Sequence, residues 1–133
     1  MKMKRILIVS VAALMAAAWM FAQEGHPLRG TWHGNYGPDA KTRTDITLVM
    51  DWDGKAVTGI MNPGLRAAPL QKTMFDPPNW TFHFEADVKD RAGAVNHVVI
   101  DAKLDDVTNV HRTMAGTWTQ GTLKGDFKAT RDN

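Results

Sequence analysis

The stretch Trp80-Thr81-Phe82-His83-Phe84-Glu85-Ala86-Asp87-Val88 alternates without a break: Trp80, Phe82, Phe84, Ala86 and Val88 share one side, and Thr81, His83, Glu85 and Asp87 share the other. A period of two is the pattern of a β-strand with one face in a core and the other in water. The loop Lys89-Asp90-Arg91-Ala92-Gly93-Ala94 then leads into a second alternating run. There Val98, Ile100, Ala102 and Leu104 take the buried parity and His97, Asp101 and Lys103 the wet one. Together the two runs predict a β-hairpin.

The same grammar extends outward in both directions. Upstream, TDITLVMDW places Ile46, Leu48, Met50 and Trp52 on one side, and Asp53-Gly54 is a hairpin-turn signal. The strand AVTGIM stops at Asn62-Pro63-Gly64, and a weaker strand within APLQKTMF is closed by Asp76-Pro77-Pro78-Asn79, where proline forbids continuation. The ends supply RGTWHGNY, HRTMAGTWT and, after Gln120-Gly121, TLKGDFKATR. About eight strands joined by short turns favour an all-β fold, an antiparallel up-and-down β-barrel, with a β-sandwich as the alternative. The expected inward set is Trp32, Ile46, Leu48, Met50, Trp80, Phe82, Phe84, Val98, Ile100, Met114 and Phe127. In such a barrel the first and last strands become neighbours. The repeated phrase Gly30-Thr31-Trp32 and Gly116-Thr117-Trp118 therefore belongs to the closure region, the glycine letting the strand bend and the indole plugging an end.

Residues 1–22, MKMKRILIVSVAALMAAAWMFA, carry three cations and then an apolar run, the pattern of a secretory signal peptide, with cleavage expected after Ala22 or, alternatively, Ala18. One β-barrel domain over 23–133 follows, and the expected location is the periplasm or the extracellular space. Removing the signal leaves 13 Lys and Arg against 14 Asp and Glu, a net charge of −1. That balance gives no electrostatic footprint for nucleic acid. The chain has no cysteine, and its only serine, Ser10, lies in the signal. The mature domain thus folds without disulfides and lacks the two commonest nucleophiles of covalent catalysis.

The opening LRGTWHGNYG resembles the Gly-x-Trp first strand of the calycin group, the lipocalin and avidin-type barrels, and DWDGKAVTGIM is similar to the acidic-Gly hairpin and Thr-Gly strand of avidins. The resemblance implies a small exported β-barrel and a late arginine, Arg131 or Arg112, packed over Trp32. The chain departs from avidins in having no serine in the mature part and in placing Asn35 one position away from theirs, which argues against biotin. It is also similar to small exported bacterial proteins with a GTW…GTWxQG pattern, which imply no particular activity.

For function, the wet faces carry Lys, Asp, Glu and His where a lipid-facing barrel demands an apolar belt, so an integral membrane form is disfavoured. The leading expectation is a non-enzymatic protein that binds a small apolar or amphipathic ligand in the barrel mouth through Trp32, Tyr36, Trp52, Trp80 and Trp118. The alternative is an interaction module that recognises a protein or polysaccharide through rim aromatics. No catalytic residue, cofactor or metal ligand is assigned. Hairpin pairing at residue-number sums of 180 to 182 would set His97 opposite His83 or Glu85, within reach of a shared Zn²⁺ or Cu²⁺, but a solvated polar face accounts for them more simply. The acidic pairs Asp51 with Asp53 and Asp105 with Asp106 read as turn chemistry.

Overall fold

A computed structural model describes residues 25–132, so the signal segment and its cleavage site lie outside the described residues. The strands are β1 (Gly30–Gly37), β2 (Thr44–Trp52), β3 (Val57–Met61), β4 (Ala68–Pro69), β5 (Gln71–Asp76), β6 (Thr81–Lys89), β7 (Val95–Asp105), β8 (Thr113–Gln120) and β9 (Leu123–Arg131). They form one antiparallel sheet in the order β4-β3-β2-β1-β9-β8-β7-β6-β5. The chain is an up-and-down barrel whose first and last strands meet, from Trp32 opposite Arg131 to Gly37 opposite Asp126.

Strands β4 and β5 are two halves of one bent strand, which brings the barrel to the expected eight. β4 pairs with β3 at two positions, Ile60 with Pro69 and Met61 with Ala68. β5 pairs with β6, and its register slips between Gln71 and Met74, around a left-handed Lys72 (φ 49°). The Leu70 N–H still donates to the Gly59 carbonyl at 2.9 Å. Beyond that point β3 and β5 are joined by a side chain: the Thr73 hydroxyl donates to the Val57 carbonyl at 2.6 Å.

The alternation read from Phe82 to Leu104 is the alternation of the barrel wall. Phe82, Phe84, Ala86, Val98, Ile100, Ala102 and Leu104 are all buried, as are Trp32, Ile46, Leu48, Met50, Met114 and Phe127. Each large side chain so buried contributes about 1.5–3 kcal/mol before the entropy cost of ordering. Trp80 is the exception. Pro77–Asn79 form a 3-10 turn that ends on Trp80 in the left-handed region (φ 54°), its N–H donating to the Pro77 carbonyl. The Trp80 carbonyl still accepts the Leu104 N–H at 2.8 Å, but its left-handed backbone breaks the alternation, β6 starts one residue later, and Trp80 stays 36% exposed at the rim instead of joining the inward set.

The two Gly-Thr-Trp phrases do different work. Trp32 stands near the end where β1 begins, fully buried under Leu28, whose carbonyl takes the indole N–H at 2.9 Å. Trp118 lies on β8 near the opposite end, packed on Tyr36 with ring centroids 5.2 Å apart. Because β9 stands between β8 and β1, only the first copy lies on a closure strand. Their glycines also differ in purpose: Gly30 has φ 126°, whereas a Cβ on Gly116 would collide with the Asp101 carbonyl across the β7–β8 ladder.

Candidate ligand-binding mouths

Strand direction sorts the aromatic residues between two ends. At the first end, where β1 begins and β2 finishes, Trp52, Phe75 and Trp80 surround a cleft of about 690 Å³, completed by Met74, Val57, Pro77 and, from the chain leading into β1, His26 and Pro27. His26 stacks on Trp52 with centroids 4.5 Å apart and planes 16° from parallel, and Phe75 bridges the cluster to Trp80 at 6.2 Å. The size and apolar lining suit a small molecule, with a few polar groups available to orient it. One is Lys55; another is His26, whose Nδ1 accepts the Leu28 N–H at 3.2 Å and so leaves the ring proton on Nε2. Burial, and then the nearby Arg112 guanidinium, push the His26 pKa below its ordinary value, which keeps the ring neutral.

The second end holds Tyr36 and Trp118 beneath a cleft of about 520 Å³. Both rings are buried, and burial raises the Tyr36 pKa, keeping its hydroxyl protonated. The Trp118 indole N–H is buried with no hydrogen-bond partner among the described residues. An unmade buried donor of this kind costs about 1–3 kcal/mol.

Of the five aromatic residues expected to bind ligand, the fold brings Trp52 and Trp80 together at one mouth and Tyr36 and Trp118 together at the other. Trp32 is core. Its partner in the β1–β9 register is Arg131. Arg112 instead donates to the Val107 carbonyl at 2.7 Å and the Pro27 carbonyl at 3.0 Å. Sequence reading missed Phe75, Met74 and His26. The first two sit on the bent strand, where alternation is interrupted, and His26 precedes the first strand altogether.

A polar constellation lies on the outer wall of the β6–β7 hairpin. The true register sums to 184, so His83 faces Asp101 and His97 faces Asp87, which corrects the sequence-based pairing. Glu85 sits between the two histidines and accepts from both: from His83 Nε2 at 2.8 Å and from His97 Nε2 at 2.7 Å. The outer nitrogens donate onward, His83 Nδ1 to Asp101 at 2.6 Å and His97 Nδ1 to Asp87 at 2.7 Å. Gln71 caps the row by donating to Asp87 at 2.9 Å. A carboxylate only accepts, so four such bonds require both rings to be protonated on both nitrogens. For His83, partial burial opposes the charge but the bonds to Glu85 and Asp101 outweigh it and raise its pKa; for His97 the bonds to Glu85 and Asp87 raise it. The same bonds lower the Glu85 pKa, and those from Gln71 and His97 lower that of Asp87. This is a self-satisfied ion ladder: among the described residues no three His or carboxylate groups converge to hold a metal ion.

Of the four acidic residues read as turn chemistry, Asp53 and Asp106 behave so, whereas Asp51 lies in β2, paired with Arg29 at 3.4 Å, and Asp105 ends β7. Asp53 accepts from the N–H groups of Lys55 and Ala56, both at 2.8 Å, and Asp106 takes a left-handed conformation (φ 53°). The molecule is thus an antiparallel β-barrel with a packed interior and an aromatic cleft at each end. Compared with known protein families, curated proteins and solved structures, the chain has no match.

Proposed function

We propose that this is an exported, non-enzymatic, calycin-like protein that binds a small apolar or amphipathic molecule in the first mouth, between Trp52, Phe75 and Trp80. The observation that carries this reading is the half-open 690 Å³ cleft itself, walled by Trp52 at the end of β2, Phe75 on β5 and Trp80 leading into β6, and edged by Lys55 and His26. An aliphatic body would lie against the indoles while a polar head met Lys55 or the His26 Nε2 proton. Export is supported by the cationic and apolar residues of 1–22, and the calycin-like reading by Trp32 standing opposite Arg131. The absence of Cys and Ser from the mature domain fits a binder better than a covalent catalyst.

The test is calorimetry and tryptophan fluorescence with medium-chain alcohols and fatty acids, on the wild type and on Trp80→Ala and Phe75→Ala variants. Saturable binding that weakens about tenfold in either variant is expected, a loss of about 1.4 kcal/mol. A flat response across the panel overturns the proposal. Trp80 and Met74 are exposed at the rim, at 36% and 68%, which also favours contact with a larger partner. A response to oligosaccharides alone would move the assignment to that second reading.

A further inference from the structure

We infer that the second mouth is a separate site for an organic oxyanion carried on an apolar body. The cleft over Tyr36 and Trp118 is rimmed by Arg66 from the β3–β4 loop, Lys89 at the end of β6 and Arg91 from the β6–β7 turn. Among the described residues, every salt bridge lies elsewhere: Arg29 with Asp51, Arg43 with Asp126, and the histidine pairs with Lys72 beside them. Three cations therefore converge on one opening without a carboxylate partner. The one acid in the lining, Asp90, is committed to its own turn, accepting from the Ala94 N–H at 2.9 Å and from Asn96 Nδ2 at 3.5 Å.

A second, independent observation lies on the cleft floor. Trp118 is 4% exposed and its indole N–H has no acceptor among the described residues. Buried donors are nearly always satisfied, and an orphan in a cleft wall marks a place for an acceptor from outside. The Tyr36 hydroxyl, kept protonated by burial, adds another donor to the same lining. The Trp118 N–H is covered by its neighbours, so a ligand oxygen reaches it by displacing rim side chains, and there it enters the field of Arg66 and Arg91, whose planar forks suit a carboxylate or phosphate. The apolar part of the ligand meets the Tyr36 and Trp118 rings, Val88 and Leu123. The first mouth has a single cation, Lys55, and its indole cluster offers no such floor. The two sites therefore differ in ligand class, and this inference stands whether or not the first mouth binds its apolar ligand.

The experiment is a titration of ¹⁵N-labelled protein with decanoate, decyl phosphate and, as the neutral control, decanol, followed through the indole N–H signals. Trp118→Phe assigns the Trp118 signal, and the Trp52 and Trp80 signals report the first mouth in the same spectra. Decanoate or decyl phosphate should shift the Trp118 signal downfield and saturate, decanol should not, and Arg66→Ala with Arg91→Ala should weaken the effect at least tenfold. Which anion binds tighter tells carboxylate from phosphate ester. A Trp118 signal that ignores both anions to millimolar concentration overturns the inference. So does one that moves equally with decanol, or that is indifferent to loss of both arginines. Movement confined to Trp52 and Trp80 would leave the first mouth as the only site.

Discussion

The two ends of the barrel are built from the same three-residue phrase and finish it in opposite ways. At the first end the Trp32 indole is fully buried and its N–H is taken by the Leu28 carbonyl, so the ring is a closed plug and the aromatic cleft lies beside it. At the second end the Trp118 indole is buried with its N–H unmet, and cations rim the space above. Equal residues in equal local sequence thus differ because one finds a backbone acceptor from a neighbouring turn and the other does not. A satisfied indole serves stability; an unsatisfied one carries a penalty that an acceptor would relieve.

The largest effect should come from truncating the plug. Trp32→Ala is expected to lower unfolding stability by about 3–5 kcal/mol in urea denaturation, the range for emptying a large aromatic site. Trp118→Ala should cost less, because truncation also removes a buried donor that has no partner among the described residues. Equal losses would break the comparison. Next in size is the isosteric step. Trp32→Phe removes a donor and leaves the Leu28 carbonyl unmatched, with an expected loss of about 1–3 kcal/mol. Trp118→Phe deletes an unsatisfied donor while keeping a ring against Tyr36, and its change should stay within about 1 kcal/mol, offset partly by the removed penalty. A larger loss in the Trp118 variant would mean that this N–H already has a partner.

The smallest effect is the proton dependence of the wall that connects the ends. His83 and His97 have raised pKa values, so their contribution is fully present below the ordinary value of 6.5 and fades as pH rises through the raised values. Glu85 and Asp87 have lowered values, so theirs is present above the ordinary 4.5 and 3.8 and fades as pH falls through the lowered ones. The stability difference between wild type and a His83→Gln, His97→Gln double variant should therefore peak between about pH 4.5 and 6.5 and shrink on both sides. The urea midpoint measured from pH 4 to 9 checks it; a difference that grows above pH 8 would show that the rings act uncharged.

Much of this barrel was legible from alternation, because inward parity from Ile46 to Phe127 depends only on a period of two. The hairpin register was not. Moving the pairing sum from 182 to 184 leaves every side chain on its own face, so hydrophobic pattern is blind to it. The turn decides instead, Asp90 N–H closing on the Ala94 carbonyl at 2.9 Å and fixing Lys89 opposite Val95. Trp80 was misplaced for a related reason: a residue leaving two prolines takes its conformation from the turn, not from the strand it precedes. The mouths were half legible. Strand-end tryptophans announce themselves, whereas Phe75 and His26 join Trp52 only because a bent strand and an incoming chain segment converge on it.

That bent strand has a consequence for how the first mouth is held shut. Along most of the barrel, prising neighbouring strands apart means surrendering consecutive amide-to-carbonyl links, but between Val57 and Thr73 the hoop is fastened by one hydroxyl, and Val57 and Thr73 both line the cleft. Releasing that single clasp would free this part of the rim while the rest of the hoop stays laced. Under the proposed function, differences in guest girth would be taken up there and not in the centre of the barrel.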